Sequence, residues 1–398
     1  MNYNRRYVFF SACLGMLLFG ITLITLGAVA PALKAKFSLD EIEAGTLFSI
    51  LPIGILMGSL LFGPLADKYG FKFLLAFSSL CLFIGFQGIA YAPSYHWIKV
   101  FVFLFGLGGG AVNGATNAVV ADISTSNKAA DLSLLGVFFA IGALGMPFIL
   151  GILNEIYAFE TIVSMVGGLA LLAAVIYFII GFPPPKLKEK PTGAKNWSMI
   201  KDTVLWLIAA FLFFQSSMEG IINNWTTLFL IEELAANQSN ALYALSLYVV
   251  GMAVMRILIG SVLRPLSSQK ILFLSFALLL LGCGFMGFGT GFPTVVIGLI
   301  LIGAGLAAGY PVMLGFVSDR YTELSGTAFS FVLAVALIGN MSVNYLMGFV
   351  ADRFGVANLP TVAFCIVVLM MVLSNPILNN TNKVNTNKDD YASKTMAQ

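Results

Sequence analysis

The sequence predicts an all-α integral membrane fold of twelve transmembrane helices, arranged as two six-helix pseudo-repeats. Three observations predict it: an oily composition, apolar runs of membrane length, and a repeat offset of 197 residues. Of 398 residues, 59% are hydrophobic and only 10% charged, with a mean hydropathy of +0.95. A soluble chain needs far more polar surface, so the solvent for most of this one is lipid. The 40 Gly and 35 Phe suit helices that pack closely on one another and present bulky groups to lipid.

Spans of about 20 apolar residues fit a hydrocarbon core about 30 Å thick. Twelve fall at 7–33, 42–66, 72–92, 97–121, 131–153, 159–182, 203–231, 240–263, 270–289, 293–317, 325–350 and 358–378, separated by Pro, charge or Asn/Ser breaks. Arg5 and Arg6 precede the first run as in a signal peptide. That run is too long for one, and Ala28-Val29-Ala30 is followed by Pro31, which disfavours cleavage, so it reads as a permanent span. With the N-terminus cytoplasmic, the inside segments hold sixteen Lys and Arg against four outside (Lys34, Lys36, Lys99 and Arg353). This places both termini in the cytoplasm of a multi-pass protein of the cell membrane, a bacterial inner membrane. The Pro- and Lys-rich stretch "GFPPPKLKEKPTGAKNW" reads as a solvated connector. The domains are therefore 1–182, a linker at 183–200, a second bundle at 201–378 and a disordered polar tail at 379–398.

The halves look like copies. A shift of 197 pairs Gly54 with Gly251, Gly63 with Gly260, Gly85 with Gly282, Gly106 with Gly303 and Gly108 with Gly305. It also pairs Asp122 with Asp319, Gly142 with Gly339 and Gly151 with Gly348. Parallel six-helix repeats joined by a cytoplasmic linker resemble the major facilitator superfamily, whose fold puts a substrate site near the midplane between the halves.

Composition excludes several chemistries. Cys13, Cys81, Cys283 and Cys365 all lie in apolar segments with no CxxC pair, so they read as packing residues. A single His, His96, leaves no multi-His metal site, and no His, Cys or Ser constellation points to an enzyme. No catalytic residue, metal, cofactor or nucleic-acid partner is expected.

"GPLADKYGFK", at 63–72, resembles the superfamily's loop signature through Gly63, Asp67, Lys68, Gly70 and Lys72, with Phe71 in place of the usual Arg. Asp67 can cap or bridge to a neighbouring helix end, while Lys68 and Lys72 hold the loop inside, a network that stabilises one gate state. In the second half the shift puts Arg264 opposite Asp67, and Arg256 lies inside span 8, where a gating role is expected. Gly106, Gly108, Gly109 and Gly110 in span 4 allow close helix approach, and Gly142, Gly145 and Pro147 give span 5 a bendable, close-packed character.

Polar stripes mark the expected cavity. Asn113 and Asn117 sit four apart on span 4, as do Asn340 and Asn344 on span 11. On span 7, Gln215, Glu219 and Asn223 form a stripe with Asn224 and Trp225 beside it. Amides facing lipid are costly, so each stripe faces either a wet cavity or a neighbouring helix as hydrogen-bond glue. Amides beside an indole suit a sugar, and equally another small polar solute. Glu219 is the one acidic residue near the midplane of any span. An ionised carboxylate there costs about 2.5–3.5 kcal/mol on insertion scales, so such residues usually serve function. As the cavity alternates its exposure, Glu219 can take and release a proton.

Several stretches together resemble the fucose/galactose/glucose permease branch: "LLFGITLITLGAVAPALKAKF" in span 1, "GLGGGAVNGATNAVVAD" in span 4, "LLGVFFAIGALGMP" in span 5, and Glu219 with Trp225 six residues on. The resemblance implies uptake of a monosaccharide, often coupled to protons. Acids that such permeases carry fall here near Gly27 and at Asn113, so proton coupling would rest on Glu219. The expectation is an alternating-access carrier, a monomer whose partners are a small solute, protons and lipid. The rivals are a drug or metabolite exporter and a non-transporting nutrient sensor on the same fold.

Overall fold

The computed structural model describes residues 3–124, 128–184, 199, 201–263, 265–321 and 325–396; most of the expected linker lies outside them. Among the described residues, 12 helices are long and apolar enough to cross a membrane. Spans 1 to 6 are Arg5–Phe37, Glu41–Phe62, Lys68–Tyr91, Tyr95–Ile123, Leu134–Leu153 and Phe159–Ile179. Spans 7 to 12 are Thr203–Leu234, Gln238–Gly260, Ser268–Phe288, Phe292–Val317, Phe331–Phe354 and Val356–Asn379. The side of the membrane that carries Arg5 is called the near side below, and the opposite side the far side.

Three elements differ from the sequence expectation. The expected loop between spans 2 and 3 shrinks to a turn: two helices meet at Gly70, whose non-helical backbone (φ 80, ψ 164) reverses the chain at the second glycine of the loop signature. No side chain but hydrogen takes that φ readily. Span 10 is two segments, Phe292–Leu306 and Gly309–Arg320. Pro311 brings no N–H to its helix, and a helix that loses an i→i−4 bond opens there. The last helix, Leu359–Met396, runs on through the tail expected to be disordered.

The glycine repeat is a repeat of contacts. A Cβ on Gly54 would strike the carbonyl of Phe103, and one on Gly251 that of Ile300, again 197 residues on. Gly106 packs on the carbonyl of Leu51 and Gly303 on that of Tyr248; Gly108 and Gly305 pack on those of Ser78 and Ser275. Each half therefore uses small residues to bring the same backbones together, as lipid-embedded helices must when van der Waals packing drives association. Gly145 is an exception to the expected close packing, with nothing within 4 Å of its would-be Cβ. Two apolar troughs also correspond. One of about 510 Å³ is lined by Leu280, Leu281 and Phe288, and one of about 280 Å³ by Phe83, Ile84 and Tyr91. Neither is lined by any of the polar stripe residues.

Polar clusters tie the near-side helix ends within each half. Arg5 pairs with Asp131 at 3.1 Å, and Ser124 donates to the same carboxylate at 2.6 Å. In the second half, Asp202 and Tyr321 stand at the positions shifted from Arg5 and Ser124; Asp202 receives the Tyr321 hydroxyl and Arg320 Nε at 2.6 Å, and caps span 7 through Val204 N–H. Partial burial alone pushes the Asp202 carboxyl up, but the bonds from Arg320, Tyr321 and Val204 outweigh it and hold it below the ordinary carboxylate range. Tyr321 is pushed up to about 12 by burial and by its bond to Asp202. A depressed carboxyl contributes stability that is present above its unfolded value and fades as pH falls through the folded one. Asp202→Asn is accordingly expected to destabilise the protein by about 0.5–1 kcal/mol at neutral pH, because the pair is partly exposed. Thermal unfolding in detergent micelles should show the gap to wild type closing as the pH is lowered through the carboxylate range.

The two halves meet on the far side. Thr227 Oγ1 donates to Gly27 O at 2.6 Å, Ser49 Oγ to Met341 O at 2.7 Å, and Ser239 Oγ to Asn154 Oδ1 at 2.9 Å. Gly45 and Gly348 face each other across spans 2 and 11, where a Cβ on Gly348 would come within 2.6 Å of Glu41 O. Gly151, paired by the shift with Gly348, packs on Tyr243 in the matching contact between spans 5 and 8.

Candidate functional site

Glu219 sits at the centre of span 7, flanked on the helix by Ser216 and Gly220, both buried against span 11. Its side chain is half-buried, and no hydrogen bond or ion pair to it is found among the described residues. A mid-membrane carboxylate that the protein neither hydrogen-bonds nor pairs directly is tolerable only beside water. Arg256 is exposed, yet it follows Met252 by four residues and Tyr248 by eight, and both of those are buried. It thus continues the inward face of span 8 rather than the lipid face. Its charge acts on Glu219, and both charges act on Tyr248 and Tyr310. The expected gating cation therefore stands with the acid of the polar stripe.

Neither tyrosine was legible as a site residue from motifs. The shift of 197 offers a signal for one, since it puts Tyr310 opposite Asn113. Tyr310 is half-buried just after the break in span 10. The Tyr248 hydroxyl is buried and finds no partner.

The amides divide by depth. Asn113 and Asn117 are half-buried in the near half of span 4, with Asn117 Nδ2 donating to Asn113 O at 2.9 Å and lying 3.7 Å from Met16 Sδ. Asn223 is half-buried too. Asn340, half-buried, donates from Nδ2 to Ser216 O at 3.0 Å. Asn344 is fully buried and donates to Asn340 O at 2.8 Å, while its Oδ1 accepts from Asn224 at 3.1 Å. Asn224, Asn340 and Asn344 thus stitch span 7 to span 11. Gln215, only 1% exposed, donates to Leu306 O at 2.9 Å, satisfying the carbonyl that the break in span 10 leaves open. Trp225 is fully buried on the far side, edge-on to Phe48 of the other half at 5.2 Å and 81°, and its Nε1 has no partner.

Of the loop signature, Lys68 is exposed with its ammonium 4.9 Å from the centre of the Tyr69 ring, and Lys72 is half-buried. The Asp67 side chain lies outside the described residues. Gly27, where the resembling permeases carry an acid, packs so that a Cβ would overlap the carbonyl oxygen of Asn223. The closed far side leaves that position no room for a carboxylate.

The sequence model described as Major Facilitator Superfamily matches residues 12–283 and 220–391. The chain belongs to that superfamily. A glucose/mannose transporter of Bacillus subtilis, GlcP, is 24% identical over 347 residues, 83% of this chain and 84% of that one. A multi-drug resistance efflux pump of Streptococcus pneumoniae, PmrA, is 31% identical over 155 residues, but the match spans only 38% of this chain and 39% of the pump. The crystal structure of a D-xylose-proton symporter superposes with a TM-score of 0.79 at 16% identity, covering 93% of this chain and 97% of that one. At that identity the superposition establishes the superfamily fold, and the matched proteins are carriers and pumps rather than enzymes.

Proposed function

We propose that this superfamily member is a secondary carrier that moves a small polar solute of the monosaccharide class by alternating access, with a proton as co-substrate. The observation that carries the reading is Glu219: a mid-span carboxylate, half-buried and with no hydrogen bond or ion pair among the described residues. Half-buried amides lie in both halves, Asn113 and Asn117 in one and Asn223 and Asn340 in the other. Hydroxyls of a sugar suit such donors and acceptors. Trp225 would cover an apolar sugar face once the far side opens. GlcP and the D-xylose-proton symporter are named for sugar transport, which supports the same class. With the Lys and Arg bias setting the near side as cytoplasm of a bacterial inner membrane, the far-side contacts make this conformation shut outward. Export is the second reading, favoured by the 31% identity to a drug efflux pump over part of the chain.

Uptake of a panel of labelled monosaccharides into proteoliposomes, with and without an inward proton gradient, tests it. At least one sugar is expected to enter, and to accumulate only with the gradient. Entry of none under either condition, together with dye extrusion from expressing cells, would replace the sugar reading with export.

A further inference from the structure

We infer that Lys34 is the ionic latch of the far gate, holding the two halves together through Glu232 while Glu41 keeps it in place. Lys34 lies in the last turn of span 1. Its ammonium contacts Glu41, in the first turn of span 2, and Glu232 Oε1 at 2.6 Å, near the end of span 7. Glu41 belongs to the same half as Lys34, and Glu232 to the other.

The three members are unequally anchored. A cation at a helix C-terminus and an anion at a helix N-terminus are each favoured by the helix dipole. Lys34 and Glu41 occupy those places, on a turn fixed by Ser38 in the left-handed region (φ 52) and by the reciprocal capping of Asp40 and Glu43. Glu232 sits two residues before the end of its helix, at Leu234, where the dipole disfavours a carboxylate, so it depends on Lys34 for compensation. Separation of the halves leaves Lys34 with Glu41 and strands Glu232. Only the cross-half leg breaks.

Magnitudes make this leg the strongest single tie across the seam. The other cross-half bonds described, from Thr227, Ser49 and Ser239, join neutral groups, whereas a charge-assisted bond is roughly twice as strong. The Lys34, Glu41 and Glu232 side chains are 22%, 17% and 36% exposed, so water screens them less than a free surface pair. One ammonium faces two carboxylates, and Glu41 Oε2 is buried without a hydrogen-bond partner. An acidic residue in place of Lys34 would set three carboxylates against one another. The latch does not depend on which solute is carried, so a readout of gate opening separates its failure from failure of the sugar reading.

The test places spin labels on Ser94→Cys and Thr290→Cys, exposed positions on the far side of the two halves, with Cys365→Ser removing the exposed native thiol. Distance distributions are recorded for the otherwise unaltered chain, for Lys34→Glu, and for Lys34→Glu with Glu232→Lys. The ratio of long to short distances should rise about tenfold or more in the single variant, since the pair is neither fully exposed nor fully buried. It should fall back in the charge-swapped double variant, which rebuilds the cross-half pair with opposite polarity. A monodisperse, helical Lys34→Glu with an unchanged distribution would overturn the latch, as would a double variant that stays as open as the single one. Should Lys34→Glu fail to fold, Lys34→Met decides by the same shift.

Discussion

Glu219→Gln is expected to abolish sugar accumulation driven by a proton gradient while sparing exchange of labelled for unlabelled solute. Gln keeps the size and hydrogen-bonding shape of a protonated carboxyl but cannot release a proton. If Glu219 is the coupling site, the variant behaves as a carrier locked in its proton-loaded form. It can still cross between conformations with solute aboard, so exchange persists. Uncoupled from protons, the carrier can only equilibrate its solute, so the concentrations inside and outside should become equal whatever the gradient. No other acid lies near the middle of a span to take over. The measurement is a pair of assays on the same proteoliposomes, gradient-driven uptake and equilibrium exchange. Retained accumulation would move the coupling site elsewhere, and loss of both activities would mark Glu219 as a binding residue only.

Gly27→Val should lock the far gate open. In the closed arrangement a Cβ at this position overlaps Asn223 O and comes within 2.8 Å of the Cα of Asn224, so the branch has nowhere to go. Overpacking of a tight contact costs about 1–3 kcal/mol, enough to move a closed-to-open ratio by one to two powers of ten. Thr227 would also lose its bond to the Gly27 carbonyl as the helices part. Gly145→Val is the matched control, since nothing lies within 4 Å of the added carbon. The far-side distance between the Ser94→Cys and Thr290→Cys labels should lengthen in the first variant and stay at the wild-type value in the second. An unchanged distance in Gly27→Val would mean that the close approach of spans 1 and 7 does not set the gate.

These two residues also show how far the chain could be read before its structure. Glu219 stood out because one carboxylate among apolar neighbours is a local anomaly, visible at its own position. Gly27 stood out only as a missing acid; the reason that no acid fits there belongs to span 7, some two hundred positions away. The amides fall between these cases. Spacing of four residues placed Asn340 and Asn344 on one helical face, and that much is a property of a single helix. Whether the face meets water or a neighbour is decided by packing, and it placed Asn344 and Asn224 against each other. Gln215 is the clearest instance, since its partner is the carbonyl of Leu306, freed by a break that Pro311 causes in another helix.

The twelve spans, the 197-residue repeat and the existence of a polar stripe around Glu219 follow from the sequence alone, because each depends on hydropathy and periodicity within a helix or on identity at a fixed offset. Tertiary structure alone decided that the halves are sealed on the far side and that Lys34 lies between Glu41 and Glu232. It also decided that Arg256 and Tyr310 stand in the electrostatic reach of Glu219. Those facts are relations between helices distant in the chain. Lipid offers no hydrophobic force to bring such helices together, so their partners are chosen by close packing and by the pairing of the few polar groups they carry.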